Sequence, residues 1–246
     1  MSFREFTNTL KISFLHFKII CEHKSWVSYY CNIAGLSKWQ AFKHDLSKFS
    51  YTEFSESVKY YSGDRSPIDN FKAKNCYSLA WQHHKGKNPH HYEYWMDNFD
   101  KGTTAIRMPY KYAVEMVCDA FAAGQVYAKR QGKNFTFKEE LKYYINKFNN
   151  GCAMHPYDKK FVYLIIRNLR NLDNIPIVND KYTMKCILKD KFFNKEILMD
   201  LYEYSSTLSD EDFEVIRQSV ETDMVEEKPK RREKQNVVPK STNNSK

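Results

Sequence analysis

A chain of 246 residues is long enough for one sizeable domain, or one domain with an appendage, and its 42% hydrophobic and 16% aromatic content excludes disorder throughout. Seven glycines and seven prolines leave little turn material for an all-β chain, so an all-α fold is expected. The formal net charge of +9 favours anionic partners, nucleotides and nucleic acid alike.

Six cysteines are scattered without a Cys-x-x-Cys pair and read as reduced core residues of a cytoplasmic protein. No stretch approaches the ~18 apolar residues of a membrane span, and the first ten residues lack a signal-peptide core, so no membrane partner is expected.

In chain order, residues 5–34 carry apolar groups at helical spacing, and Gly35 supplies the stop. His16, His23, Val27 and Tyr30 share one stripe, which turns His23 inward as a hydrogen-bonded core residue or a ligand. Ser37-Lys38-Trp39-Gln40 reads as a capping box, and the helix it opens is expected to carry His44 and Asp45 about two turns in. Neighbours on a helix lie about 100° apart, so imidazole and carboxylate can lean into one metal. Lys48, one turn on, can pair with Asp45, answer the helix dipole or reach a substrate phosphate.

Ser50-Tyr51-Thr52-Glu53 is a second box, starting a short helix that should end near Gly63. Arg65 then precedes a helix with Ser66 as cap and Pro67 at its first position, where it either holds a phosphate or is simply solvated. Residues 67–87 read as one helix. His84 falls on the stripe of Ala73, Tyr77 and Ala80, and His83 on that of Cys76 and Leu79; the small residues beside His84 favour it as the ligand.

Four histidines then fall within nine positions, His83, His84, His90 and His91, with Pro89 turning the chain between the doublets. Such clustering suits a metal, with Glu93 available to orient an imidazole or supply acid chemistry. Trp81, Tyr92, Tyr94 and Trp95 imply a loop packed down on the body. A helix from Pro109 to Gly132 carries Tyr112, Glu115, Asp119 and Ala122 on one face. Asp119 sits among apolar neighbours where an unpaired carboxylate is costly, so it needs a metal or a buried ion pair, with Glu115 supporting a ligand histidine.

Further helices are expected at 136–148, 156–172, 180–205 and 210–221. Residues 1–132 are thus read as a metal-binding helical core, 133–222 as additional helices on or beside it, and 223–246 as a disordered basic tail able to touch nucleic acid.

The order His23, His44-Asp45, a histidine of each doublet, then Asp119 resembles the HD superfamily of metal-dependent phosphohydrolases. The stretch His44-Asp45-Leu46-Ser47-Lys48 looks like its His-Asp-x-Gly-Lys motif, with Ser47 where glycine is commoner. Asn88 to Trp95, with His44 to Phe49 and Met108-Pro109-Tyr110, is similar to a largely uncharacterised bacterial and phage family of HD-like proteins; the resemblance covers roughly residues 12–130. It implies an HD-like helical bundle in which His23, His44, Asp45 and Asp119 bind one ion, and His84 and His91 complete a second with Asp45 bridging. It further implies hydrolysis of a nucleotide or related phosphate ester by metal-activated hydroxide. Asp45, Lys48, Glu93 and Glu115 are then the catalytic candidates, and Lys48, Arg65 and Lys85 the phosphate contacts. Imidazoles and carboxylates without thiolates suit one or two ions of Mn, Fe, Co, Ni or Zn. Two alternatives are a di-iron oxygenase with the same ligand order and a non-catalytic helical module that binds nucleic acid or protein.

Overall fold

The structure is a computed structural model that describes residues 2–100, 102–174 and 181–226. Among these residues it is an all-α fold of eleven α-helices with one two-stranded hairpin. The helices are α1 (Phe3–Ile33), α2 (Lys38–Lys43), α3 (Tyr51–Lys59), α4 (Pro67–Asn75), α5 (Leu79–Lys87), α6 (Tyr110–Arg130), α7 (Phe137–Asn149), α8 (Pro156–Leu169), α9 (Lys181–Lys191), α10 (Lys195–Thr207) and α11 (Asp210–Glu226). The hairpin strands are β1 (Met96–Phe99) and β2 (Gly102–Ala105), antiparallel, with Met96 opposite Ala105. Among the described residues no helix is long and apolar enough to cross a membrane.

The chain divides into two compact units, one ending at Leu208 and the other starting at Ser209. Within the second, Ser209 caps α11 by accepting from the Asp212 N–H at 3.0 Å, and Arg217 pairs with Glu214 at 2.9 Å. The helix runs through Glu226, past the expected end at 221. The expected basic tail otherwise lies outside the described residues.

In the first unit, α1 and α6 lie along each other. Val27 and Cys31 of α1 and Val117, Cys118 and Phe121 of α6 are fully buried, so two amphipathic faces close on one core. Tyr30 meets Phe121 edge to face at 5.5 Å, and its hydroxyl accepts from Gln125 Nε2 at 3.0 Å. Helix α8 packs between α7 and α10, burying Phe161, Val162, Leu164 and Ile165. Where the chain enters α6, the Met108 N–H donates to Asp158 at 2.9 Å, and Arg107 donates to the Tyr202 carbonyl at 2.7 Å.

Three of the expected helices are interrupted. The helix expected over 67–87 breaks at Cys76, which takes φ 63°; Ser78 then starts α5 by accepting from the Trp81 N–H at 2.9 Å. Asn194 likewise caps α10, splitting the helix expected over 180–205. The most consequential difference is that α2 stops at Lys43, so His44 and Asp45 form a corner and not a helical turn.

Candidate metal centre

The corner is built by backbone conformation. His44 has φ −49° and ψ 126°, and Asp45 takes the left-handed region at φ 55°, which aspartate tolerates better than most residues. Lys24 Nζ holds the corner through the carbonyls of His44 and of Phe42, the latter at 3.1 Å. Asp45 is completely buried as a result, with its two oxygens facing opposite sets of ligand atoms.

On one side, Asp45 Oδ2 lies 3.6 Å from His23 Nε2 and 3.3 Å from His44 Nε2. Asp119 Oδ1 closes that side at 2.9 Å from His23 Nε2 and 3.2 Å from His44 Nε2. On the other side, Asp45 Oδ1 lies 3.3 Å from both His84 Nε2 and His90 Nε2. The His91 ring stands beside them, its centroid 4.7 Å from that of His84 and 4.4 Å from that of His90. Two four-residue groups result, His23, His44, Asp45 and Asp119, and Asp45, His84, His90 and His91; in each the ligand atoms lie within 4.8 Å of one another.

Two glutamates stand behind the imidazoles. Glu115 Oε1 accepts from His44 Nδ1 at 2.9 Å and lies 3.3 Å from His90 Nδ1, while Oε2 accepts from Gln40 Nε2 at 2.6 Å. Glu53 meets His84 Nδ1 at 2.8 Å and His83 Nδ1 at 2.6 Å. This network places an N–H at Nδ1 of His44, His84 and His90 and turns each Nε2 towards the carboxylates. Each Nε2 then faces a carboxylate oxygen, a contact that needs a proton or a cation between the two atoms; burial, and for His90 the neighbouring His44, oppose charge on the rings, but Asp45 and the adjoining carboxylates outweigh this and raise both His44 and His90. His23 Nε2, His44 Nε2, His90 Nε2, His91 Nε2 and Asp45 Oδ1 are buried without a hydrogen bond, and Asp45 Oδ2 has the Lys48 ammonium beside it. Buried nitrogen and oxygen atoms converging in this way are costly unless protons or cations lie among them, and the donor set fits divalent transition metal ions.

Charge follows the same geometry. Burial favours a neutral Asp45, but His44, Lys48 and His84 outweigh it and hold the carboxyl well below its ordinary range. Asp119 is lowered in the same way, burial being overcome by His23 and His44. Burial also opposes ionisation of Glu115, yet His44 and His90 bring it down to about 2. His91, buried beside His90 and His84 and facing no close carboxylate, is pushed well below the ordinary imidazole value. Lys48 Nζ lies 2.5 Å from Asp45 Oδ2; burial disfavours its charge, but Asp45 and Asp119 hold it above its usual value.

The sequence-derived candidates thus divide. His23, His44, Asp45, His84, His91 and Asp119 come together, with Lys48 and Glu115 against them. Glu93 sits in the turn after His91 and is in neither group. Arg65 is exposed, and neither it nor Lys85 lines the cavity that opens on the centre. Both capping boxes are half-formed: Ser37 and Ser50 cap their helices, but Gln40 and Glu53 turn their side chains to the centre instead. His90 and Glu53 are the residues the sequence reading left out of the ligand set and its support. The paired doublets signalled His90; Glu53 was hidden by a sufficient local role as a cap residue.

The profile of a family described as a family of unknown function (DUF5662) matches residues 13–168. The chain belongs to the DUF5662 family. The DUF5662 match runs from α1 into α8 and takes in every residue of the centre. None of the curated proteins and none of the solved structures matches the chain.

Proposed function

We propose that the chain is a metal-dependent phosphohydrolase with two cation positions sharing Asp45. The observation that carries this reading is the pair of opposed groups around one buried carboxylate, each with imidazole Nε2 atoms turned inward. The ligand order supports it through the resemblance to the HD phosphohydrolases, and so does Lys48, a cation beside the shared aspartate that also lines the cavity.

Divalent ions bound here would supply Lewis acidity, lowering the pKa of a water towards ~7 and offsetting charge on phosphoryl oxygens. His23, His44, Asp45 and Asp119 would hold one, and Asp45, His84, His90 and His91 the other. Glu115 and Glu53 keep the imidazole Nε2 atoms aimed inward. Lys48 pairs with a phosphoryl oxygen. Hydrolysis forms one P–O bond from water and breaks the ester P–O bond, and a water proton ends on the leaving oxygen.

Elemental analysis of the full chain beside Asp45→Asn tests the reading, with phosphate release measured from phenyl phosphate. Wild type is expected to hold up to two ions per chain and release phosphate, and Asp45→Asn to lose both properties while staying helical by circular dichroism. Asparagine tolerates the left-handed conformation, so the variant removes charge and not the corner. Full metal content in Asp45→Asn would sink the assignment. Bound iron with oxygen-dependent turnover and no phosphate release would move the chain to the di-iron oxygenase reading.

A further inference from the structure

The cavity beside the centre has a volume of about 180 Å³, against roughly 300–1,000 Å³ for sites that take drug-sized ligands. His91 and Asp119 line one end, and Ile19, Ile68 and Val126 contribute apolar wall. Among its lining residues Lys48 is the one lysine or arginine, enough to answer one phosphoryl group and not a chain of them.

His16 also lines this cavity and takes no part in the metal groups. It lies on the inward stripe of α1, seven residues before His23, or ~10 Å along the helix axis. Its ring is held by Phe54 and Tyr61 at centroid distances of 5.2 and 5.8 Å, it is only 6% exposed, and its Nδ1 is buried with no partner. Burial and the nearby Lys48 bring its pKa down to about 4, so it stands as a neutral imidazole offering one donor and one acceptor. Buried imidazoles ordinarily have their hydrogen bonds met within the protein. This one lines a cavity whose other end is the candidate centre.

Resting on the hydrolase reading above, we propose that the substrate is a compact phosphate monoester. Its single phosphoryl group lies at the centre, and a small uncharged organic part fills the cavity, with a hydroxyl or amide at its far end bound by His16. This narrows the nucleotide expected from charge, since the volume is small beside that of sites which take drug-sized ligands and a polyphosphate would meet one lysine. His16 is a specificity-determining residue and takes no part in the bond-breaking step.

The test is steady-state phosphate release by the metal-loaded full chain from phenyl phosphate, 4-(hydroxymethyl)phenyl phosphate and ATP. The hydroxymethyl ester is expected to exceed phenyl phosphate about fivefold to tenfold in kcat/KM, and ATP to fall at least tenfold below both. In His16→Phe the hydroxymethyl advantage should vanish with metal content retained, and in His16→Gln part of it should return. An advantage kept in full by His16→Phe overturns the role of His16. ATP turned over as well as the monoesters overturns the substrate class and leaves the hydrolase standing. A chain that holds its metals and releases phosphate from none of the three overturns the hydrolase reading, and this proposal with it.

Discussion

One oxygen of Glu115 serves imidazoles from both metal groups, His44 on one side of Asp45 and His90 on the other. Its second oxygen is fixed by Gln40, so the carboxylate cannot rotate to favour either. Glu53, by contrast, touches a single ligand, His84, with the half-exposed His83 as its other partner. The two glutamates should therefore differ under mutation. Loss of such a supporting carboxylate weakens metal affinity by about 10–100-fold. In Glu115→Gln that weakening is expected at both cation positions, and in Glu53→Gln at one, as read by competition with a chromogenic chelator. Equal, single-position effects would show that the shared oxygen is not what aligns the pair. Glu115 was visible in the sequence because it lies one turn before Asp119 on the same helix face; Glu53 was not, because Ser50 three residues earlier accounted for it locally.

At the scale of elements, α6 meets the loop that follows it without room for a further side chain. A Cβ at Gly124 of α6 would stand 2.5 Å from Phe135 Cε2, 2.7 Å from its Cδ2 and 3.2 Å from Glu140 Oε2. Alanine gains up to about 1 kcal/mol in helix propensity, but overpacking a closed contact costs about 1–3 kcal/mol. The Phe135 ring is wedged against Phe137 at 5.2 Å and Phe121 at 6.2 Å and has little freedom to yield, so the steric cost wins. Gly124→Ala should lower the stability measured by urea unfolding, and an increase would show that Phe135 moves freely. The joint between α6 and α8 makes a pH-dependent contribution. Burial raises Asp158 from 3.8 to about 6, against the opposing pull of the Met108 N–H and Arg107. The folded state thus holds the proton more tightly than the unfolded chain, so its contribution is full below the unfolded value and is lost as pH rises to about 6. Two pKa steps amount to about 3 kcal/mol. Wild type should lose stability of that order relative to Asp158→Asn between pH 4 and 6, and a flat difference would mean that Asp158 is ionised throughout. Most helices were legible from the period of their apolar residues, as with Val27 and Cys31 on α1. Their interruptions were not: nothing in a cysteine announces the positive φ of Cys76, and a His-Asp pair after a capping box reads equally well as helix or corner. The hairpin at 96–105 was missed because four-residue strands carry too little alternation to register.

For the whole molecule, the question is where the basic charge sits relative to the chemistry. Residues 227–246 carry seven Lys or Arg against two Asp or Glu, which is more than half of the net +9. Every side chain of the candidate centre falls between His23 and Asp119. On the proposed reading, attraction for polyanions and attraction for a substrate phosphate are therefore separable in the sequence, the latter resting on Lys48 and the cations the centre would hold. A chain ending at Glu226 is expected to keep its metal content and its kcat/KM for phenyl phosphate, while its retention on heparin shifts to markedly lower salt, since each phosphate-pairing cation removed flattens the salt dependence. If hydrolysis collapses with that segment gone, these residues take part in binding the substrate, and the assignment of phosphate binding to Lys48 alone is wrong. If heparin retention instead survives both this truncation and Asp45→Asn, the folded body has a polyanion surface independent of its metals. That is the result the non-catalytic binding module requires. The two experiments thus separate a hydrolase with a basic appendage from a binding protein with a metal-stabilised core, because only in the first does charge removed far from Asp45 leave the chemistry intact.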